Sequence, residues 1–282
     1  LRILKMFISI YFIQLRVENM ERKKILSLYG GGNQMRCSII VPIWNINEEL
    51  EQLTKNAIGS FNQTLSVEDD KFELIIIDND SPITTNDFVY GSNIYLRNKS
   101  NLGFPKAVNQ RFKLATGEFI CVSNNDIKVS ENWWVVAKEI FERVPKAGTC
   151  HFRMLEYNQP NIPADQVYPD GKERWCHGSF YVIKKEVIDK VGMYDENFIL
   201  GGGEDWDYFK RIRKVGFKQV YTNGAFFQHK DSSTQLLRDQ NERKESDEKN
   251  REYYKSKWGE YPDIEFEKQF SNQFTKPWRP YP

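Results

Sequence analysis

The sequence has little of what several protein classes require. Its 40 Lys and Arg residues are balanced by 39 Asp and Glu residues, so no basic surface for nucleic acid is predicted. The cysteines are far apart, without the C-x-x-C spacing of zinc sites, and they favour buried free thiols in a reducing compartment over a disulfide framework. These cysteines are Cys37, Cys121, Cys150 and Cys176.

No apolar run reaches the ~20 residues that a membrane-spanning helix needs. The stretch from Ile3 to Val17 is apolar, but Lys5 and Arg16 interrupt it, and at most it forms a membrane-surface segment. Residues 1–34 therefore read as a separate N-terminal extension, either flexible or foreign to the native protein. We expect the functional domain to begin at Met35, after a Gly-rich break.

From Met35 onward, short apolar runs alternate with amphipathic segments. This alternation favours an α/β fold, with a mainly parallel twisted sheet and flanking helices in a Rossmann-like arrangement. Asn47 is positioned to cap the first helix. The predicted strands cover residues 37–43, 72–77, 94–96 and 119–122, and the predicted helices cover 47–61 and about 105–115.

Polar residues follow three of these strands directly. The run Phe119–Val122 ends in Ser123-Asn124-Asn125-Asp126, and earlier strands end at Trp44-Asn45 and Asp78-Asn79. Open α/β sheets bind ligands at the carboxyl ends of their strands, so we expect these residues at one edge. Asp126 is a candidate metal ligand there, although an Asx-type turn after a strand would give the same pattern.

Seven strings stand in an order that resembles the family 2 (GT-A fold) glycosyltransferases. They are SIIVPIWN, ELIIIDNDS, NLGFPKAVNQ, GEFICVSNNDIKV, CHGSFYVIKKEVIDKVGMYDENF, GGGEDWDYFKRIRKVGF and FFQHKDSS. The resemblance covers about residues 37–234, and it is to transferases of bacterial or phage type that act on cell-surface glycans. It implies inverting, metal-dependent transfer of a sugar from a nucleoside-diphosphate sugar, with UDP favoured, to a hydroxyl of a glycan-type acceptor.

The resemblance implies a donor-binding half over residues 35–126. An aromatic ring at Trp44 would pack against the base or ribose, and the Asp78 carboxylate would accept a hydrogen bond from a pyrimidine ring nitrogen. Two alternatives stay open: Asp78 also suits a turn before Ser81-Pro82, and Lys106 faces either the diphosphate or solvent. The implied donor-binding residues are Pro42, Trp44, Asn45, Asp78, Asn79, Asn101, Gly103, Lys106, Asn124 and Asn125.

The string NNDIKV resembles the D-x-D element of the family, with one departure. Asn124 stands where the first acid is usual, so Asp126 is the single carboxylate. His229 matches a late histidine that completes metal coordination, although a lone histidine is more often structural. One carboxylate and one imidazole suit Mn²⁺ better than Mg²⁺.

The resemblance also implies an acceptor-binding and catalytic half over residues 127–235. Asp205 matches the catalytic base, and Glu204 would help to bind a sugar. Acids in the first turn of a helix also stabilise its dipole, so simple capping is the alternative. The residues implied to face the acceptor or the donor sugar are Trp175, His177, Gly178 and Trp206.

Residues 236–282 are predicted to form a helical tail, because Arg238 to Lys257 is charged and helix-prone. The helix either packs over the catalytic half or contacts a partner or membrane surface. We expect a cytoplasmic protein, with peripheral contact at the inner membrane face left open. Two other functions also stay open: a GT-A domain that binds without turnover, because of Asn124, and a sugar nucleotidyltransferase, although no Gly-rich phosphate loop follows Pro42.

Overall fold

The computed structural model describes residues 36–65, 71–83, 94–112, 114–157, 178–230 and 240–261. The predicted N-terminal extension therefore lies outside the described residues, as do Trp175, Cys176 and His177. The strands are β1 (Arg36–Ile43), β2 (Lys71–Asp78), β3 (Ile94–Arg97), β4 (Phe119–Ser123), β5 (Ile127–Val129), β6 (Ala147–Glu156), β7 (Phe180–Lys184) and β8 (Lys218–His229). The helices are α1 (Glu48–Leu65), α2 (Phe104–Phe112), α3 (Trp133–Arg143), α4 (Lys185–Val191), α5 (Glu204–Lys214) and α6 (Gln240–Trp258).

The eight strands form one sheet in the order β3-β2-β1-β4-β7-β6-β8-β5. Four of the seven pairings described are parallel, and those of β4 with β7, β6 with β7, and β5 with β8 are antiparallel. The predicted α/β class and its four strands are confirmed. The antiparallel pairings and the short strand β5 were not predicted, because three residues carry too little pattern.

The first predicted helix is confirmed together with its cap. The Leu50 backbone N–H donates to Asn47 Oδ1 at 2.9 Å, which satisfies one of the free donors of the first turn. The second predicted helix is too long, because α2 ends at Phe112. Leu114 is a turn residue and is 60% exposed, whereas Ala115 is buried in the apolar layer that includes α2.

Both faces of the sheet are buried. On β1, Ile39 and Val41 belong to the apolar layer that includes α3, while Ile40 belongs to the layer that includes α2 and α5. Burial on both faces explains the continuous apolar runs in the sequence. Trp133 and Trp134 are fully buried and pack in the core.

The described cysteines and the C-terminal helix also match the sequence expectations. Cys37, Cys121 and Cys150 are all buried. Helix α6 packs on α5, where the Trp258 indole Nε1–H donates to Asp207 Oδ1 at 3.0 Å. Helix α6 therefore packs over residues 127–235, as in the first of the two interpretations given for it.

Candidate functional site

Asp126 and His229 meet at the carboxyl edge of the sheet. Asp126 directly precedes β5, and the register of β5 with β8 places Ile127 opposite His229. The Lys230 backbone N–H donates to the Asp126 carbonyl oxygen at 3.0 Å. As a result, Asp126 Oδ1 lies 3.1 Å from His229 Nε2, and the two side chains are 6% and 5% exposed.

This pair is the predicted cation site, and its surroundings can be compared with that prediction. Asp126 Oδ1 is buried and accepts no hydrogen bond from any described residue, because the 3.1 Å approach to His229 lacks hydrogen-bond alignment. A buried carboxylate oxygen without a donor is costly unless a cation or donor compensates it. The described part of the chain contains no group of three or more His, Cys, Asp or Glu residues that could hold a metal. A cation here would therefore need oxygen atoms from a ligand or water as well.

Asn124 lies beside the same pair. Its side-chain Nδ2 is 3.5 Å from His229 Nε2, and its side chain is only partly buried. Asn124 thus reaches the position where the sequence predicted the first residue of a D-x-D element, with an amide in place of a carboxylate.

Asn45 and Asn125 form an internal network instead of projecting from the edge. Asn125 Nδ2 donates to Thr54 Oγ1 at 2.8 Å and to Asn45 Oδ1 at 3.3 Å. Asn45 is fully buried, and the Ser81 hydroxyl accepts from its backbone N–H at 2.8 Å. This network joins the loops after β1, β2 and β4, while the Asn45 Nδ2 group finds no acceptor among the described residues.

Asp78 is fully buried and already holds three donors. Its Oδ1 accepts from the Ser81 backbone N–H at 2.7 Å. Its Oδ2 accepts from the Tyr95 hydroxyl at 2.6 Å and from Arg97 Nη1 at 2.5 Å. A carboxylate has about four acceptor positions, so one remains for a base. The turn-forming alternative describes these contacts, and the contact with a base stays a prediction.

Two predicted donor residues are held mainly by neighbouring backbone and side chains. Asn79 accepts from Asn98 Nδ2 at 2.8 Å, and Asn101 Oδ1 accepts from the Gly103 N–H at 2.9 Å. A Cβ atom on Gly103 would lie 2.8 Å from the Leu200 Cα. The close approach that glycine permits here is therefore to the chain before α5.

The remaining predicted donor residues lie at the edge or just inside it. Pro42 is buried within β1 and lies opposite Ile77, while Trp44 is partly exposed. Lys106 is exposed on the first turn of α2, which fits both interpretations of this residue.

Glu204 and Asp205 open helix α5 with raised pKa values. Burial, reinforced by the charge of Asp205, raises the pKa of Glu204 to about 8. Burial also raises the pKa of Asp205 to about 6, while hydrogen bonds from the backbone N–H groups of Trp206 and Gly178 oppose the rise. Two adjacent acids whose pKa values are both raised by burial are typical of candidate acid–base sites.

A short chain of contacts joins these acids to Asp126. The Asn124 N–H donates to the Ser179 carbonyl at 2.8 Å, because β4 and β7 are neighbours. Gly178 directly precedes Ser179. It is so close to α5 that a Cβ atom added to it would lie 2.9 Å from the Asp205 Cβ. Gly178 is therefore the point at which the Asp126 edge and the Asp205 helix meet.

Of the residues predicted to face the acceptor, the structure describes Gly178 and Trp206. Trp206 is partly exposed beside Asp205, and its ring is perpendicular to the Tyr254 ring, with 6.4 Å between the ring centroids. Sequence reasoning did not single out Arg97, Thr54 or Asn250. Their side chains form hydrogen bonds with Asp78, Asn45 and Ile199, respectively. No local sequence pattern marks them, because each acts through partners that are 9 to 51 residues away.

None of the helices in the described ranges combines the length and apolar character that a membrane span requires.

Residues 38–192 match the sequence profile of Glycosyl transferase family 2, which is more than half of the chain. No curated protein matches the chain significantly. Solved structures do. A crystal structure of S. aureus TarS 1-349 is 17% identical with a TM-score of 0.52, and the match covers 68% of this chain and 60% of that one.

Two further structures carry ligands. S. aureus TarS 1-349 in complex with UDP-GlcNAc is 16% identical with a TM-score of 0.56, covering 73% of this chain and 62% of that one. The mannosyltransferase PcManGT from Pyrobaculum calidifontis, in complex with GDP-Man and Mn²⁺, is 18% identical with a TM-score of 0.54, covering 69% and 57%. The chain thus spans less than two thirds of the length of these proteins, and at these identities the likeness shows the GT-A fold alone.

Proposed function

The chain belongs to glycosyltransferase family 2, and from this premise we propose that it transfers a sugar from a nucleoside-diphosphate sugar to a hydroxyl of a glycan-type acceptor. The observation that carries the proposal is the juxtaposition of Asp126 and His229 with Asp205, through the contact of Ser179 and Gly178. In this proposal Asp126 and His229 form the leaving-group site and Asp205 is the base, and Gly178 and Ser179 are the two residues that connect them.

On the donor side, Asp126 and His229 would hold a divalent cation, Mn²⁺ in preference to Mg²⁺. The fit rests on the buried Asp126 Oδ1, which lacks a hydrogen-bond donor among the described residues and lies 3.1 Å from an imidazole nitrogen. A bound cation would supply charge neutralisation for the diphosphate leaving group. Asn124 would donate from its amide to a donor hydroxyl or phosphate oxygen.

On the acceptor side, Asp205 would act as the general base. Its pKa of about 6 leaves the carboxylate ionised at neutral pH and still basic enough to take a proton from an attacking hydroxyl. Attack from the face opposite the diphosphate inverts the anomeric carbon. Glu204, with its pKa raised to about 8, would keep its proton and donate a hydrogen bond to a sugar oxygen.

We propose UDP as the nucleotide, with residues 35–126 forming the donor half and 127–235 the acceptor half. The remaining acceptor position of Asp78 suits the ring N–H of uracil. Support for a nucleotide-sugar comes from the UDP-GlcNAc in the TarS structure and the GDP-Man in PcManGT. The second of these also contains Mn²⁺.

The test is incubation with a panel of nucleotide-sugars and glycan acceptors, with Mn²⁺ or with chelator, while nucleoside diphosphate release is measured. Release that needs both Mn²⁺ and acceptor is expected with at least one UDP-sugar. Binding without release from any donor would instead favour a non-catalytic GT-A domain. Pyrophosphate formed from a sugar phosphate and a nucleoside triphosphate would favour a nucleotidyltransferase.

A further inference from the structure

The segment that precedes the two acids has an unusual backbone. Leu200, Gly201, Gly202 and Gly203 have φ values of 63°, 131°, 108° and 90°. The sequence suggests a flexible segment here, because glycine has the widest conformational freedom. The three glycines adopt positive φ without steric cost, but the same region is unfavourable for Leu200, whose conformation persists only where neighbouring structure holds it.

Asn250 of helix α6 holds this segment from one side. Its Oδ1 accepts from the Ile199 backbone N–H at 2.8 Å. Its Nδ2 donates to the Ile199 carbonyl at 3.1 Å and to the Gly201 carbonyl at 3.4 Å. Asn250 is only 2% exposed, so these hydrogen bonds form in a site that little water reaches.

The start of helix α2 holds the segment from the other side. The Phe104 N–H donates to the Leu200 carbonyl at 3.2 Å. The backbones of Gly103 and Leu200 are so close that a Cβ atom on Gly103 would lie 2.8 Å from the Leu200 Cα. The segment Ile199–Gly203 is therefore clamped between the predicted donor residues before α2 and the C-terminal helix.

The clamped backbone in turn holds an acid. The Gly202 N–H donates a short hydrogen bond to Glu204 Oε2, and Gly203 is the residue before helix α5. The direction of the Gly202 N–H thus fixes the Glu204 carboxyl group, and the path of Gly203 fixes where Asp205 begins. We propose that Asn250 is a positioning residue that sets the geometry of Glu204 and Asp205 through the backbone of residues 199–203. The catalytic part of this inference rests on the proposed function.

Docking of α6 does not depend on Asn250 alone. The Lys257 ammonium group lies 2.5 Å from Asp195 Oδ2 and 2.8 Å from Asp207 Oδ1. The Tyr253 hydroxyl also donates to Asp195, at 2.9 Å. Removing the Asn250 amide should therefore release the glycine segment while the helix stays in place.

Three variants separate positioning from packing. Asn250→Ala removes the hydrogen bonds and the volume, whereas Asn250→Leu keeps a similar branched outline without hydrogen-bonding groups. Asn250→Ser serves if Asn250→Ala does not fold. The control is Glu248→Ala, an exposed position on the same helix.

Two readouts are expected to move in the Ala and Leu variants. The first is turnover: kcat should fall by about 10- to 100-fold, as for a small displacement of a catalytic group, with the Kd for the donor unchanged. The acid limb of the pH–kcat profile, which reports ionisation of the base Asp205, should also shift, because the position of Asp205 relative to the charge of Glu204 is rearranged. The second is amide hydrogen exchange, where the Gly202 N–H should exchange at least about tenfold faster after its support is lost.

A role in packing alone predicts another pattern. Asn250→Leu would then match Glu248→Ala in kcat, pH profile and exchange at Gly202, and this result would overturn the inference. If the wild-type chain turns over no donor, the proposed function fails. The positioning role is then decided by exchange at Gly202, which needs no substrate.

Discussion

Replacing Arg97 with Ala should destabilise the protein strongly, although the Arg97 side chain is 35% exposed. Its partner Asp78 is fully buried, and Arg97 Nη1 is the one cationic donor among its three contacts at 2.5 Å, 2.6 Å and 2.7 Å. Without Arg97, a buried carboxylate keeps only two neutral donors. The same guanidinium also donates to the Ser81 carbonyl at 2.9 Å, so the turn after β2 loses a second support.

The expected loss of stability depends on how exposed Arg97 and Asp78 are, at 35% and 0%. Removing one partner of a buried ion pair costs about 3–5 kcal/mol, but water can reach the space that an exposed arginine leaves. We therefore expect a loss of about 2–3 kcal/mol in the free energy of unfolding. For a domain of this size, that corresponds to a Tm lower by roughly 5–10 °C.

Urea and thermal unfolding, followed by circular dichroism, measure this loss directly. The matched control is Arg143→Ala, whose ion pair with Glu139 is exposed on both sides at 70% and 39%. The control should change stability by less than about 0.5 kcal/mol. In the double variant Asp78→Asn/Arg97→Ala, much of the cost of Arg97→Ala should disappear, because no charge is left buried. Equal stability of Arg97→Ala and Arg143→Ala would refute the reasoning.

Three further predictions concern the acids and the candidate cation site. Asp205→Asn should abolish transfer but leave the calorimetric Kd for the donor nearly unchanged, because the base acts on the acceptor; wild-type turnover would remove Asp205 from this role. Asp126→Ala should abolish the Mn²⁺-dependent part of donor binding, measured by calorimetry with and without Mn²⁺, whereas equal Mn²⁺ enhancement in the variant and the wild type would contradict the assignment. Glu204→Gln should gain stability relative to wild type between pH 5 and pH 8. The folded-state pKa of about 8 lies above the unfolded value of 4.5, so the folded protein binds the proton more tightly and wild type loses stability as pH rises through this window. Parallel pH–stability curves for wild type and Glu204→Gln would show that no such shift exists.

The sequence predicted the first half of the sheet well, because β1, β2 and β4 are buried on both faces and read as continuous apolar runs. The meeting of Asp126 with His229 was implied by family resemblance. Its physical cause, the pairing of β5 with β8, was not readable from three residues. Residue identity also did not show that the carboxylate of Asp78 already holds Arg97, since nothing local marks a partner 19 residues away.

The acids illustrate the same limit. Their place at the start of a helix was predicted, whereas the clamp on the glycine segment depends on Asn250, which lies 51 residues after Ile199. A glycine-rich string suggests freedom when it is read alone. Its rigidity comes from contacts that only the tertiary structure creates.

Strand β5 has three residues and lies at the end of the sheet order. Its amide groups are held by Ser60 Oγ, which accepts from the Val129 N–H at 3.2 Å, and by β8. A shift of one residue in its pairing would turn each side chain to the opposite face and carry Asp126 away from His229. Opening of this strand would therefore also separate Asp126 from His229 and take apart the proposed cation site. A donor–cation complex that bridges Asp126 and His229 would stabilise the closed strand, more strongly the more tightly it binds. Nucleotide binding would therefore slow amide hydrogen exchange in β5.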